Sequence, residues 1–241
     1  MQEIIAVTAF ADMDEKWFEQ SLQLLPTDKQ QKISRYMRKP DQLRALIGEI
    51  TVRLNAMSRT GLSHEQLHFD TNTYGKPFLR DMPSFSYNVS HSGDWVVCAI
   101  DETEVGVDVE NIQPIDLAIA ERFFSKEEVN DLFALPEHER QAYFFDLWTL
   151  KESYIKAVGK GLSIPLNSFS FKRINNQFTF HSDTDPTPRY VKQYQLDPQY
   201  KLAVCARHER LADHPIKRDA AELCEEFIEK VTCVNCDTSS I

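Results

Sequence analysis

Trp148-Thr149-Leu150-Lys151-Glu152-Ser153-Tyr154-Ile155-Lys156 decides how this chain is read, because its pattern occurs twice. At 100° per residue, Leu147, Leu150, Tyr154 and Val158 form one apolar stripe, and Glu152 and Lys156 lie one turn apart on roughly the opposite side. Earlier in the chain, Leu43, Leu46, Ile47, Ile50, Leu54 and Met57 keep helical spacing around a second pair four apart, Glu49 and Arg53. Pro40 and Asp41 suit the first turn of that helix and Gly61 its exit. Each pair is followed at similar separation by an apolar Val-Cys-Ala run, at Cys98 and at Cys205. The repeat predicts an α+β pseudo-dimer: an N-terminal half over 1–103, a C-terminal half over 104–208, and a functional site in the cleft between them. Residues 209–241 are polar and acidic, with one helix expected over 220–231, and read as an appendage.

The remaining pattern fills in the two halves. A strand is expected over 4–10 and an amphipathic helix over 14–25, with Phe18, Leu22 and Leu25 on one side. Extended runs follow over 67–70, 85–90, 95–100 and 105–109, separated by Gly, Pro and Asn. The second half repeats this order, with helices from about 125 and over 137–158, then strands near 169–173, 178–181, 190–196 and 201–206.

A chain of 241 residues with 42% apolar composition buries a real core. No run approaches the roughly 20 apolar residues of a membrane span, and no basic region leads into a signal core, so membrane association is not expected and the cytoplasm is. The five cysteines are an odd, scattered set, which argues for reduced thiols over a disulfide framework. The formal charge of -10 argues against nucleic acid as a partner. One stretch departs from it: residues 28–44 hold six cations (Lys29, Lys32, Arg35, Arg38, Lys39, Arg44) against two acids. Such a run is either a solvated helix face or a site for a compact, highly charged anion.

Four motifs carry chemistry. In Gly106-Val107-Asp108-Val109-Glu110, a period of two sends both valines to one face of a strand and both carboxylates to the other. Two hard oxygen ligands at this spacing suit Mg²⁺, which takes one or two protein carboxylates together with waters and substrate phosphates; an exposed edge strand is the plain alternative. Glu152 supplies a third carboxylate, able to complete a metal site or to take a proton from an attacking hydroxyl, and Lys156 an ammonium able to neutralise a leaving phosphate. Most such helical pairs are surface salt bridges worth a few tenths of a kcal/mol. Asn88-Val89-Ser90-His91-Ser92-Gly93 ends a strand in a turn whose hydroxyls, N–H groups and imidazole can donate to phosphate, and Tyr74-Gly75-Lys76-Pro77 sets one cation beside a rigid proline.

From its first strand to about Ala206 the chain resembles the surfactin-type (Sfp-type) 4'-phosphopantetheinyl transferases. The resemblance is carried by 106–110, by 148–156 with the following Gly-Lys-Gly-Leu, by Phe123-Phe124-Ser125, by 88–93 and by 74–77. It implies a pseudo-dimeric fold with coenzyme A in the cleft, magnesium on Asp108, Glu110 and Glu152, and Lys156 as the catalytic lysine beside a catalytic Glu152. Lys29, Lys32, Arg44 and His91 match positions that hold the nucleotide 3'-phosphate. Lys76, Pro77 and Ser90 match others lining the coenzyme A site, to which Asp108 also belongs. The implied activity is a magnesium-dependent transfer of the phosphopantetheine arm to a serine of an apo peptidyl or acyl carrier protein, foremost carrier domains of nonribosomal peptide synthetases, by a monomeric enzyme that releases adenosine 3',5'-bisphosphate. The carrier is expected against the stretch after Glu110 through Phe124, where Ile112, Ile115, Leu117, Phe123 and Phe124 are apolar.

Other readings are weaker. A non-catalytic coenzyme A or carrier-binding module of the same fold would be favoured by loss of Glu152 or Lys156, and both are present. A magnesium-dependent nucleotide hydrolase lacks a separate water-activating motif. His64-Glu65-Gln66-Leu67-His68 spells the zincin signature, but the run meets the strand-like Phe69-Asp70 too soon for the helix that signature needs. Cys233-Val234-Asn235-Cys236 has no second close Cys or His pair, and Gly159-Lys160-Gly161 lacks the upstream glycine of a phosphate-binding loop.

Overall fold

Strand β5 (Trp95–Asp101) is buried at all seven positions, which an alternating strand achieves only when both of its faces are covered. Val96, Cys98 and Ile100 pack toward helices of the first half, and Trp95, Val97 and Ala99 toward a second sheet. The computed structural model describes residues 2–8, 13–175 and 177–237, the last four of these by backbone alone. The expected extension of the first strand to Phe10, and the thiol of Cys236, lie outside the described residues.

The first half runs β1 (Glu3–Thr8), α1 (Glu15–Leu24), α2 (Thr27–Ser34), α3 (Lys39–Thr60), a hairpin of β2 (Phe69–Thr71) and β3 (Pro77–Leu79), then β4 (Ser86–Ser92) and β5. The second half has the same order: β6 (Val105–Asn111), α4 (Ala120–Phe123), α5 (Lys126–Ala134), α6 (Glu137–Val158), a hairpin of β7 (Phe169–Ile174) and β8 (Gln177–Ser182), then β9 (Tyr190–Tyr194) and β10 (Tyr200–Ala206). The sheets are ordered alike, β1-β5-β4 and β6-β10-β9, with antiparallel neighbours. Both long helices have 22 residues and end on a glycine in the left-handed region, Gly61 and Gly159.

Three apolar clusters follow from this layering. Leu46, Ile47 and Ile50 of α3 pack on one face of the first sheet, and Phe144, Leu147, Leu150 and Tyr154 of α6 pack with Ala203 and Cys205 of β10. Between the sheets, Ile4, Ala6, Val97 and Ala99 meet Val105, Val107, Val109, Leu202 and Val204. The valines of the Gly-Val-Asp-Val-Glu motif therefore face the inter-sheet core, and its carboxylates face the other way, inward on the α6 side. Asp108 is 3% exposed, which rules out a solvated edge strand.

The C-terminal region is not an appendage. Strand β11 (Ile216–Asp219) adds to the first sheet parallel to β1, and α7 (Ala220–Asp237) lays Ala220, Leu223, Cys224, Phe227 and Val231 into the first core. Those five positions have helical spacing, and they cover apolar surface of α1 and α3 that the first half leaves open. The acidic residues around them occupy the outer face and dominate the composition.

The His64–His68 segment forms no metal-binding helix. His64 to Gln66 is a single 3-10 turn with a Ser63/Gln66 capping box, and the buried His64 donates from Nε2 to the Leu24 carbonyl at 3.0 Å.

Candidate active site

Gly106 sets the approach of β6 to α6. A Cβ placed there would stand 2.1 Å from the Ser153 carbonyl oxygen and 2.3 Å from the Ala157 nitrogen, so only glycine lets the strand lie on that turn of the helix. Two residues on, Asp108 meets Lys156, whose Nζ donates to Oδ1 at 2.6 Å and to Ser90 Oγ at 3.0 Å.

The edge of β4 meets β6 through side chains in place of a backbone ladder. Val107, Val109 and Asn111 of β6 donate their N–H groups to Asn88 Oδ1 (2.9 Å), Ser90 Oγ (3.3 Å) and Ser92 Oγ (3.1 Å). The two serines pass their own protons on: Ser90 Oγ donates to Asp108 Oδ1 at 2.9 Å and Ser92 Oγ to Glu110 Oε2 at 3.0 Å. The turn after β4 is held from the second half by Tyr200, whose hydroxyl accepts from Asp94 N at 3.0 Å and fills the space against Gly93.

All three carboxylates here are pushed up, Asp108 by burial and the two glutamates by burial and the Asp108 charge. Burial pushes Asp108 up, opposed by the Lys156 ammonium and the Ser90 hydroxyl. Burial and then the Asp108 charge push Glu110 up to about 7, and the same two causes raise Glu152. Asp108 Oδ2 is buried with no hydrogen-bond partner. Among the described residues no group of three His, Cys, Asp or Glu closes on an ion by itself. The donor set instead fits a hard cation that takes one or two protein carboxylates and completes its shell with water and phosphate. An orphaned buried carboxylate oxygen is what such a cation would satisfy.

The expected anion-binding residues divide. His91 alternates away from Ser90 and Ser92 on β4; surrounding protein, then the Arg44 and Lys156 charges, lower its imidazole pKa. Arg44 of α3 reaches the same turn, donating to the Gly93 carbonyl at 2.8 Å and pairing with Asp41 at 2.5 Å. Arg44 of α3 and Lys156 of α6 thus bring two cations close enough to the His91 imidazole to disfavour its protonation. Lys32 is exposed on α2, whereas Lys29 pairs with Glu49 at 2.9 Å, and Glu49 also holds Arg53 at 2.8 Å. The Glu49–Arg53 pair on α3 is therefore closed by a lysine.

Lys76 spans the halves differently. Its ammonium donates to the carbonyls of Val105 (3.1 Å) and Ala157 (2.9 Å), and Asn72 Nδ2 donates to Gly159 O at 2.9 Å, so the β2–β3 turn caps the C-terminus of α6. Pro77 and Lys76 line a cleft of about 240 Å³ with Phe78, Met82, Phe85 and Tyr87. Burial pushes Lys76 down to about 8. Its desolvation cost is complete below pH 8 and is relieved as pH rises from there toward 10.5, where the unfolded lysine also loses its proton. The neutral amine keeps two N–H donors for the two carbonyls. Urea unfolding at pH 7 and pH 10 is expected to show the native chain gaining stability relative to Lys76→Met as pH rises; parallel changes would contradict this.

Lys151 is a structural residue that the motif conceals. Fully buried, it pairs with Glu128 at 2.8 Å and donates to the carbonyls of Leu166 and Phe169 at 2.8 Å each. Glu128 in turn accepts from Ser125 N, closing the capping box of α5, and from Phe171 N. The readable signal is position, for Lys151 falls one turn after Leu147 on the apolar side. Phe124, expected on the carrier surface, packs beside Phe144 in the second core, while Ile115 is exposed.

Carboxylates and cations set side by side across a seam suit a phosphorylated substrate bound together with a divalent cation. Comparison with known proteins bears on the same residues. A profile described as "4'-phosphopantetheinyl transferase superfamily" matches residues 104–205, and one described as "4'-phosphopantetheinyl transferase, N-terminal" matches 12–103. The chain is 42% identical over 191 residues to the 4'-phosphopantetheinyl transferase Sfp of Bacillus subtilis (strain 168), covering 79% of this chain and 85% of that one. It is 44% identical over 200 residues to the 4'-phosphopantetheinyl transferase psf-1 of Bacillus pumilus, covering 83% and 86%. A holo-[acyl-carrier-protein] synthase from Thermotoga maritima is similar over 46% of this chain and 66% of its own, at 22% identity and a TM-score of 0.39. The chain belongs to the 4'-phosphopantetheinyl transferase superfamily, and the site lies on residues of both matched segments.

Proposed function

We propose that this enzyme moves the phosphopantetheine arm of coenzyme A onto a serine of an apo carrier protein, foremost peptidyl carrier domains, with magnesium bound by Asp108, Glu110 and Glu152. The observation that carries the reading is the grouping of three carboxylates, one with an orphaned buried oxygen, beside the cations Lys156 and Arg44 and the imidazole of His91. When bound, magnesium would supply charge withdrawal from the pyrophosphate oxygens. Glu152, its pKa raised, takes the proton of the carrier serine directly or through a water. The serine oxygen forms a bond to the pantetheine-side phosphorus as the bond to the bridging oxygen breaks, and adenosine 3',5'-bisphosphate leaves with that electron pair. Lys156 offsets the charge that develops on it. His91 and Arg44, with Lys32 at the rim, hold the 3'-phosphate, and Lys29 joins them by exchanging Glu49 for phosphate. Pro77 and the Lys76 backbone wall the nucleotide site, and Ile115 lies on the surface that meets the carrier.

The repeated element order and the matching sheet orders support reading the two halves as a pseudo-twofold pair, whose internal seam makes a monomer sufficient. No helix among the described residues is long and apolar enough to cross a membrane, and we place the enzyme in the cytoplasm. The test is the intact mass of an apo peptidyl carrier domain after incubation with this protein, coenzyme A and magnesium. A gain of one phosphopantetheine, lost when chelator is added, is expected. No gain on peptidyl or acyl carriers, with coenzyme A still bound, would identify a binding module instead.

A further inference from the structure

Ser92 lies at the end of β4 in the first half, and its hydroxyl is fully assigned by its neighbours. One lone pair accepts the Asn111 N–H at 3.1 Å, so the single proton is free to go to Glu110 Oε2, 3.0 Å away. Ser90, two residues earlier, has the same arrangement toward Asp108, with Val109 N–H and Lys156 Nζ both donating to it. The period of two in β4 matches the period of two in β6, so each carboxylate of the motif receives one hydroxyl from the opposite half.

The consequences differ for the two acids. Asp108 is also held by Lys156, whereas Glu110 takes its one side-chain hydrogen bond among the described residues from Ser92. Glu110 has three rotatable bonds, and an unrestrained carboxylate of that length loses rotamer entropy whenever it binds a cation. A hydroxyl that is itself fixed by a backbone N–H removes that freedom in advance and leaves the other carboxylate oxygen, Oε1, for a ligand.

We propose that Ser92 is a positioning residue, a first-half hydroxyl that orients the second-half carboxylate Glu110 toward the bound cation; this rests on reading Asp108, Glu110 and Glu152 as the metal site. Cation binding is thereby tied to the seam, because Glu110 is aligned only while β4 and β6 hold register. Ser92 acts through Glu110 and touches no reacting atom.

The test measures Mn²⁺ binding directly, from the electron paramagnetic resonance signal of the free ion, in the full-length protein and its variants. Ser92→Ala is expected to weaken Mn²⁺ binding about tenfold or more. Ser92→Cys, of similar size but a weak donor, is expected to share that loss, so a poorly folding alanine variant does not decide the matter. Ser92→Thr, which keeps the hydroxyl, is expected to restore binding. In a Glu110→Gln background, Ser92→Ala is expected to cost no further affinity. In transfer assays the Ser92→Ala loss appears in the half-saturating magnesium concentration and not in the rate at saturation. Mn²⁺ binding by Ser92→Ala and Ser92→Cys within twofold of the native chain, or an undiminished Ser92→Ala effect without Glu110, would overturn the proposal while leaving the transferase reading in place. A native chain that binds no Mn²⁺ would instead remove the metal site on which both rest.

Discussion

Lys156→Ala is expected to lower the rate of phosphopantetheine transfer about a thousandfold at saturating magnesium and coenzyme A. Lys156 Nζ is 2.6 Å from Asp108 Oδ1 and 3.0 Å from Ser90 Oγ, which places a positive charge at the edge of the three carboxylates and near enough to His91 to lower its pKa. A cation in that position gains most when the departing bisphosphate acquires charge. The same substitution is not expected to weaken Mn²⁺ binding, because it removes a positive charge that competes for Asp108. Loss of rate with retained metal affinity separates this residue from Glu110, where both decline. Single-turnover mass analysis of a carrier domain checks the rate, and a value within tenfold of the native chain would remove Lys156 from the chemistry.

Gly106→Ala is expected to destabilise the fold by about 3 kcal/mol or more, at the upper end of the cost of overpacking. The new methyl group would fall 2.1 Å from Ser153 O and 2.3 Å from Ala157 N. These atoms are the two ends of one i to i−4 bond in α6, and neither moves without opening the helix or lifting it from β6. For a chain of this size the melting temperature is expected to fall by roughly 6–12 °C, at 2–4 °C per kcal/mol. Surviving folded protein is also expected to transfer poorly, because the displacement separates Asp108 from Lys156. Calorimetry and the carrier assay read the two effects, and a melting temperature within 2 °C of the native value would contradict the contact.

The local geometry of the site is legible in the sequence. Period two puts Asp108 and Glu110 on one face of β6, and period 3.6 puts Glu152 and Lys156 one turn apart on α6, whose span over 137–158 is the one expected. Less visible was the work of the Asn88-x-Ser90-x-Ser92 comb. Its residues suit a phosphate-binding turn equally well, and only the neighbouring strand shows that the serines are spent on backbone N–H groups and carboxylates. Lys29 and Lys76 were indistinguishable by charge from Arg44 and Lys156. Their partners, Glu49 on α3 and the Val105 and Ala157 carbonyls, are distant in sequence.

The sequence by itself determined most of the elements, their repeated order and the faces on which the acids lie, because each depends on periodicity within a few turns or strand residues, whereas the short α2, β3 and β11 carry too few residues to show a period. Tertiary structure alone decided which cations stand at the seam, that Lys151 closes a buried pair with Glu128, and that α7 completes the first core. Charge and hydrophobicity state only that a group needs a partner; which partner it finds depends on surfaces brought together from opposite ends of the chain.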